Sequence, residues 1–238
     1  MVEARNRSKG RGSGRRGWLI TGAKRGLAPA GTGAAVAVVC SRLRQRALTW
    51  GATDAEAASI LPGDELLEHA DLVSTRAVDI HAPASAVWPW LAQMGPSPRG
   101  GAYSYDWIEN ALGLDMHSVE RVLPEFQHPV VGDTVAFGRN RMHLERLEPQ
   151  RMLSWRSQSG DWVWTFMLVE APDATRLISR NRFRLATLGA RMAMLPMEPG
   201  SLLMERKMLR GIRRRAERLA AQPPESALAP AGPGGDQR

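Results

Sequence analysis

The chain has 238 residues and a formal net charge of +8, a length that allows one well-buried domain with tails or two small domains. Its composition favours one domain. Residues 1–26 hold eight Lys and Arg side chains against Glu3, whereas residues 71–197 hold equal numbers of basic and acidic side chains. The central part is therefore neutral, a distribution that disfavours a protein that wraps nucleic acid.

Cysteine and histidine usage argues against metal chemistry. Cys40 is the single cysteine, so an intrachain disulfide and a cysteine metal cluster are both excluded. The five histidines lack the paired spacing of metal ligands, and no glycine-rich nucleotide motif follows a predicted strand. We expect neither a metal nor a nucleotide cofactor.

Residues 1–41 are predicted to form a disordered basic arm. Arg15 and Arg16 precede a short apolar run, as in a twin-arginine export signal. The uncharged stretch that follows is broken by Pro29 and glycines and is shorter than the roughly 20 apolar residues of a membrane span. We expect a cytoplasmic protein; the alternative is export, or weak membrane contact through this arm.

Residues 42–71 are predicted to be a lead-in segment that packs on the outside of the domain. A helix cap at Thr53 with Glu56 three residues later, and a turn at Pro62, Gly63 and Asp64, support this interpretation. The alternating pattern of residues 73–81 then predicts a strand.

Two short helices are predicted after that strand. Pro83 opens the first, whose apolar face includes Trp90 and Met94, and Pro89 predicts a kink within it. The second lies within the segment YSYDWIENALGLD, after a Gly-rich loop.

Strands dominate after Val130, where five segments are separated by Gly, Pro or Asn breaks, as in an antiparallel meander. In the last strand, alternation places Ser179 and Asn181 on the inner face and predicts a solvent-facing row of arginines: Arg176, Arg180, Arg182 and Arg184. In the strand before it, Trp162, Trp164 and Phe166 share one face. Large aromatic residues spaced by two line either a filled core or a cavity wall.

A long basic helix is predicted over residues 198–221, with Pro199 in its first turn. Met204, Met208 and Ile212 form a narrow apolar stripe that needs a concave partner, which the meander supplies. Residues 187–197 are predicted to be a flexible connection, and residues 222–238 a disordered tail.

Several segments resemble the START-like (SRPBCC) superfamily, in particular its polyketide cyclase/dehydrase and lipid-transport members. They are IHAPASAVWPWLAQMG, YSYDWIENALGLD, VVGDTVAFG, LEP and MEPGSLLMERKMLRGIRRRAE, with WGATDAEA and LPGDEL upstream. The resemblance covers roughly residues 50–221. It implies an α+β helix-grip fold over residues 72–221, with a curved antiparallel β-sheet wrapped around the long C-terminal α-helix and two short helices after the first strand.

The resemblance also implies an apolar cavity between sheet and helix, and tryptophan and methionine are adaptable liners of such cavities. We therefore expect this protein to bind or transport a small hydrophobic ligand: a lipid, a polyketide or an aromatic molecule. The predicted ligand-binding residues are Trp90, Met94, Trp107, Trp155, Trp162, Trp164, Phe166, Ser179, Asn181, Met204 and Met208. The alternative for each side chain is that it fills the core.

Tyr103, Tyr105 and Asp106 are the predicted catalytic residues for a second function, a polyketide cyclase or dehydratase. A tyrosine hydroxyl can hydrogen-bond an enol oxygen, and a partly buried carboxylate can move a proton. The structural alternatives are that Asp106 caps the helix, that Glu109 pairs with an arginine and that both tyrosines pack. A third function is a basic module that contacts a membrane or nucleic acid. The sequence leaves these alternatives open.

Overall fold

The structure, a computed structural model, describes residues 30–138 and 140–222. The chain divides into the units Met1–Val39 and Cys40–Arg238. The first described helix, α1, spans Ala30–Leu48, although the sequence predicts a disordered arm as far as residue 41. The predicted arm before residue 30 and the predicted tail after residue 222 lie outside the described residues.

The remaining elements follow the predicted order. Helix α2 (Asp54–Ala58) and a 3-10 turn (Asp64–Leu67) precede strand β1 (Leu72–Ile80) and helices α3 (Ala84–Ala92) and α4 (Asp106–Ala111). After a second 3-10 turn (Pro124–Phe126) come strands β2 (Thr134–Phe137), β3 (Asn140–Glu148), β4 (Met152–Ser157), β5 (Trp162–Ala171) and β6 (Ala174–Phe183). Helix α5 (Leu188–Ala220) is the last element. The two short helices predicted after the first strand are confirmed.

The strands form a single antiparallel sheet in the order β1-β6-β5-β4-β3-β2. A register shift between Leu144 and Arg146 in β3 marks a bulge, a feature that bends a strand. Helix α5 packs against α3 and β1. The main core contains Ile80 from β1, Val87 from α3, Phe166 from β5 and Ile212 from α5. A curved antiparallel sheet packed against a long C-terminal helix is the predicted helix-grip fold.

Helix α5 begins earlier than predicted. It starts at Leu188, and the Oγ1 of Thr187 accepts a hydrogen bond from the N–H of Ala190 at 3.1 Å, which caps the helix. Pro196 and Pro199 both lie inside α5. Each proline removes one helical donor, and the residues before Pro196 are mostly helix-compatible Leu, Ala, Arg and Met. The predicted flexible connection is therefore the first part of the helix.

The prediction of a solvent-facing row of arginines on β6 is wrong for Arg180, which is 2% exposed. Its Nη1 lies 2.7 Å from the Oδ2 of Asp64, and its other donors reach backbone oxygens of Glu56 and Ser59. The lead-in segment therefore covers this part of the outer face of the sheet. Ile178, on the same strand, packs there with Leu61 and Ala77 in a small apolar cluster.

Gly211 allows α5 to approach the loop that precedes α4. A Cβ atom built on Gly211 would lie 2.4 Å from the backbone oxygen of Tyr103, a distance that real Cβ atoms do not show. Tyr103 itself has φ of 59° and is buried. This contact sets how closely the helix lies against the loop.

We predict that Gly211→Ala lowers the free energy of unfolding by about 1–3 kcal/mol, because a methyl group there forces helix and loop apart. Gly200→Ala is the matched control, since it lies in the same helix with nothing within 4 Å of its Cβ position. We expect it to stabilise the protein by up to about 1 kcal/mol through helix propensity. Urea unfolding measures both, and equal effects would contradict the packing argument.

Candidate functional site

A cavity of about 310 Å³ lies between the sheet and α5. Its walls come from the inner faces of β1, β5 and β6, from one face of α5, and from the segment that includes α4. This volume lies at the lower end of the range for small-molecule sites.

Two stacked tryptophans form the sheet side of the cavity. The rings of Trp162 and Trp164 have centroids 5.8 Å apart and planes 21° apart, and Phe183 continues the stack 5.6 Å from Trp162. The ring of Phe137 lies 6.5 Å from Trp162 and 6.2 Å from Trp164. Both tryptophans are half-buried and line the cavity, so they form an aromatic wall.

The polar edges of both indole rings are held by the next strand. The Nε1–H of Trp164 donates to the Oγ of Ser179, and the Nε1–H of Trp162 donates to the Oδ1 of Asn181, each at 2.9 Å. These bonds satisfy the indole donors and fix the planes of the rings. The wall therefore presents preorganised apolar ring surface to the cavity.

Helix α5 supplies the opposite side. Met204 and Met208 line the cavity one helical turn apart, with Glu205 beside them. Thioether side chains are flexible and make favourable contacts with aromatic rings. An apolar ring bound in the cavity would lie between methionines and tryptophans.

A buried ion pair lines the same cavity. The Nη1 of Arg76 on β1 donates to the Oε2 of Glu205 on α5, and Ser179 Oγ donates to Glu205 Oε1 at 2.6 Å. The other donors of Arg76 reach the backbone oxygen of Ala47 and the Oγ of Ser201, each at 3.1 Å. Burial raises the pKa of Glu205, and the Arg76 guanidinium and the Ser179 hydroxyl oppose that rise.

Glu109 on α4 is a second carboxyl group in the cavity wall and is 7% exposed. Its Oε1 accepts a hydrogen bond from the Oγ of Ser104 at 2.7 Å. Its Oε2 is buried and has no hydrogen-bond partner among the described residues. Burial raises the pKa of Glu109, the Ser104 hydroxyl lowers it, and the nearby Asp106 carboxylate raises it.

Part of the predicted ligand-binding set lines this cavity: Trp162, Trp164, Asn181, Met204 and Met208. Ser179 lies behind the wall, where it holds Trp164. Trp90, Met94, Trp155 and Phe166 are buried in the main core and do not line the cavity. Trp107 is 73% exposed and lies outside the cavity, because it projects from the opposite side of α4 to Glu109.

The predicted catalytic residues lie outside the cavity. Tyr103 packs edge-on against Trp90, with ring centroids 5.9 Å apart, and beneath the guanidinium of Arg215. Asp106 accepts hydrogen bonds from the N–H and the Oγ of Ser118, at 2.7 and 2.6 Å. Tyr105 is half-buried below the ammonium group of Lys207. The contacts of Tyr103 and Asp106 hold the loops around α4.

Sequence reasoning left Arg76 and Glu205 out of the predicted site, and it considered Glu109 beside Asp106 without placing it there. Strand parity was a usable signal for Arg76, because it lies on the same face of β1 as the buried Val78 and Ile80. Glu205 precedes the buried Leu209 by one helical turn. Two opposite charges at inward positions predict a buried pair, since an isolated buried charge is too costly.

No cluster of His, Cys, Asp or Glu suited to a metal ion occurs in the described chain. Of the helices in residues 30–138 and 140–222, none combines the length and apolar character needed to cross a bilayer.

The chain is similar to several solved structures, each at low sequence identity. A Polyketide_cyc-like protein from Corynebacterium glutamicum is 18% identical, with a TM-score of 0.32, covering 63% of this chain and 89% of its own. An AHSA1-like protein from Aeromonas hydrophila is 17% identical, with a TM-score of 0.34 and coverages of 62% and 96%. The Aha1 protein from Colwellia psychrerythraea, solved as a dimer, is 14% identical, with a TM-score of 0.34 and coverages of 57% and 93%.

No protein-family model matches the chain, and no curated protein matches it. The TM-scores to the solved structures are low, so the fold assignment rests on the strand order and on the packing of α5. These features are those of the helix-grip fold, so the predicted fold is confirmed.

We predict that Glu205→Met lowers the free energy of unfolding by about 3–5 kcal/mol, because it leaves the Arg76 charge buried and unpaired. The double variant Arg76→Met/Glu205→Met should lose less free energy of unfolding than Glu205→Met alone, since neither charge of the pair remains buried. Urea unfolding of the four proteins in this cycle gives the coupling energy. Additive losses would show that the two side chains are independent.

Arg151→Met is the control for that cycle. Its pair with Glu148 spans 3.7 Å at the surface, where the two side chains are 79% and 51% exposed. Water already screens this pair, so its loss should change stability little.

Proposed function

We propose that this protein binds a small, largely apolar molecule in the cavity between the sheet and α5. The observation that carries the proposal is the aromatic wall, in which Trp162 and Trp164 present ring faces while their N–H groups are already bonded within the protein. A ligand that stacks there leaves no indole donor unsatisfied. Met204 and Met208 complete an apolar enclosure on the opposite side.

The charges in the wall favour an uncharged ligand. Among the described residues that line the cavity, the charged types are Arg76, Glu109 and Glu205. Arg76 and Glu205 neutralise each other, and the raised pKa of Glu109 favours its neutral form. A ligand with a full charge would lose its hydration without gaining a free counter-charge from these residues.

We predict that Met204→Trp weakens ligand binding by about tenfold or more, or about 1.4 kcal/mol, because the larger side chain occupies the cavity. Leu203→Trp is the matched control: Leu203 is the neighbouring residue of α5, is half exposed and does not line the cavity. Calorimetric titration with fluorene, a planar apolar probe, and with palmitate, an acyl probe, measures the effect.

Binding of at least one probe that is lost in Met204→Trp and kept in Leu203→Trp supports the proposal. If neither probe binds, or if both variants bind as the wild type does, the cavity is not the binding site.

A second function, cyclisation or dehydration of a polyketide-like substrate, is favoured by Glu109. A carboxyl group at a cavity wall, whose pKa is raised by burial, can deliver and remove a proton. In this function Glu109, and not Asp106, is the proton-transfer group, since Asp106 is bonded to Ser118 outside the cavity.

Turnover of an aromatic poly-β-ketone tests this assignment. We expect Glu109→Gln to lower kcat by about 100-fold or more, the usual contribution of a general acid or base, and Asp106→Asn to retain most of the rate. The opposite ranking would assign the role to Asp106. Equal rates in all three proteins would reject the catalytic function, and only the proposed binding function would stand.

A further inference from the structure

Glu109 has an incomplete set of hydrogen bonds in a nearly closed environment. It is more than nine-tenths buried, Ser104 satisfies one carboxyl oxygen, and the other oxygen lacks a partner among the described residues. An unpaired buried oxygen is costly, and an ionised one more so. The Oε2 of Glu109 therefore needs a further hydrogen-bond partner.

The charges around Glu109 act against its ionisation. The carboxylate of Asp106, on the same helix, raises the pKa of Glu109. Across the cavity, Arg76 is committed to Glu205, Ser201 and the Ala47 carbonyl. No described cation forms an ion pair with Glu109. The balance of burial and charge therefore favours the protonated acid, as the raised pKa of Glu109 also indicates.

A protonated carboxyl is a strong hydrogen-bond donor that requires an acceptor. Ser104 contacts Oε1, so a proton on Oε2 has no acceptor among the described residues. The terminal torsion of a glutamate is soft and roughly two-fold, so the carboxyl can turn to bring its proton to the cavity. A neutral oxygen atom on the bound molecule is the complementary partner.

We propose that Glu109 recognises the ligand as a neutral acid, by donating a hydrogen bond to a carbonyl oxygen of a planar aromatic compound. This inference rests on the proposed function and names its ligand class. The planar ring stacks on Trp162 and Trp164, and the carbonyl accepts from Glu109. A fatty acid fits poorly, because its carboxylate finds no free described cation in the wall.

The test compares 9-fluorenone with fluorene, which share a planar ring system and differ in one carbonyl oxygen. Neither probe titrates, so the ratio of their affinities isolates the carbonyl contact and cancels effects common to both. Calorimetric titration between about pH 5 and about pH 8 covers the range reached by buried carboxyls.

In the wild type we expect the affinity ratio to favour fluorenone at low pH and to fall about threefold to tenfold as the pH rises. The sign follows from the proton: the donor exists below the raised pKa of Glu109 and is lost as pH rises through it. In Glu109→Gln, whose amide is a donor at every pH, the ratio should stay high and constant.

Ser104→Ala is the second variant. Because Ser104 stabilises the charged form of Glu109, its loss should move the midpoint of the pH dependence upward. This variant retains Glu109, so it tests the assignment even where Glu109→Gln does not fold.

A ratio that does not change with pH in the wild type would overturn the inference. A pH dependence that persists in Glu109→Gln would assign the effect to another group, with Glu205 the first to examine, and would also overturn it. Both results require that the probes bind to the wild type and that Met204→Trp weakens that binding. The absence of any probe binding in the wild type would instead count against the proposed function.

Discussion

The ion pair between Arg76 and Glu205 is the constraint on which the site depends. It joins the first strand of the sheet to the last helix across a sequence separation of 129 residues. Burying two charges costs several kcal/mol each, and their attraction offsets this cost only when the remaining hydrogen-bond groups are also satisfied. Ser179, Ser201 and the Ala47 carbonyl supply those bonds. The pair thus specifies where α5 lies relative to β1, and a displaced helix would leave both charges unpaired.

Ser179 connects this pair to the aromatic wall. Its hydroxyl oxygen accepts from the indole of Trp164 and its hydrogen is donated to Glu205, so one side chain orients both groups. Asn181 holds Trp162 in the same way. The rings are therefore fixed by polar contacts on their edges while their faces stay apolar. Binding to a fixed wall costs less conformational entropy than binding to a wall whose side chains become ordered only when the ligand is present.

The sequence was sufficient for the fold and for the inner face of β6, but less so for the site. Alternation correctly placed Ser179 and Asn181 inside, because strand parity has a period of two. The same alternation places Arg180 on the outer face, but the prediction that it is exposed to solvent failed. A lead-in segment distant in sequence covers the outer face there and supplies Asp64. On α4, the sequence likewise did not predict which of Trp107 and Glu109 faces the cavity. Residue type favoured the tryptophan as a cavity liner, whereas the packing of the helix turned the glutamate inward.

The segment YSYDWIEN divides its polar groups between two tasks. Tyr103 and Asp106 are occupied by structural contacts: Tyr103 by the ring of Trp90 and the backbone of α5, Asp106 by Ser118. Those contacts fix the loops on either side of α4, and so fix the direction in which Glu109 projects. The hydroxyl of Tyr103 and the Oε2 of Glu109 both lack a hydrogen-bond partner among the described residues, but of the two residues it is Glu109 that lines the cavity. A group that the fold buries without completing its hydrogen bonds costs stability, and such costs are concentrated at sites where a bound molecule can offset them. In the proposed function, the chemistry of this segment therefore falls to Glu109, the residue that its neighbours position.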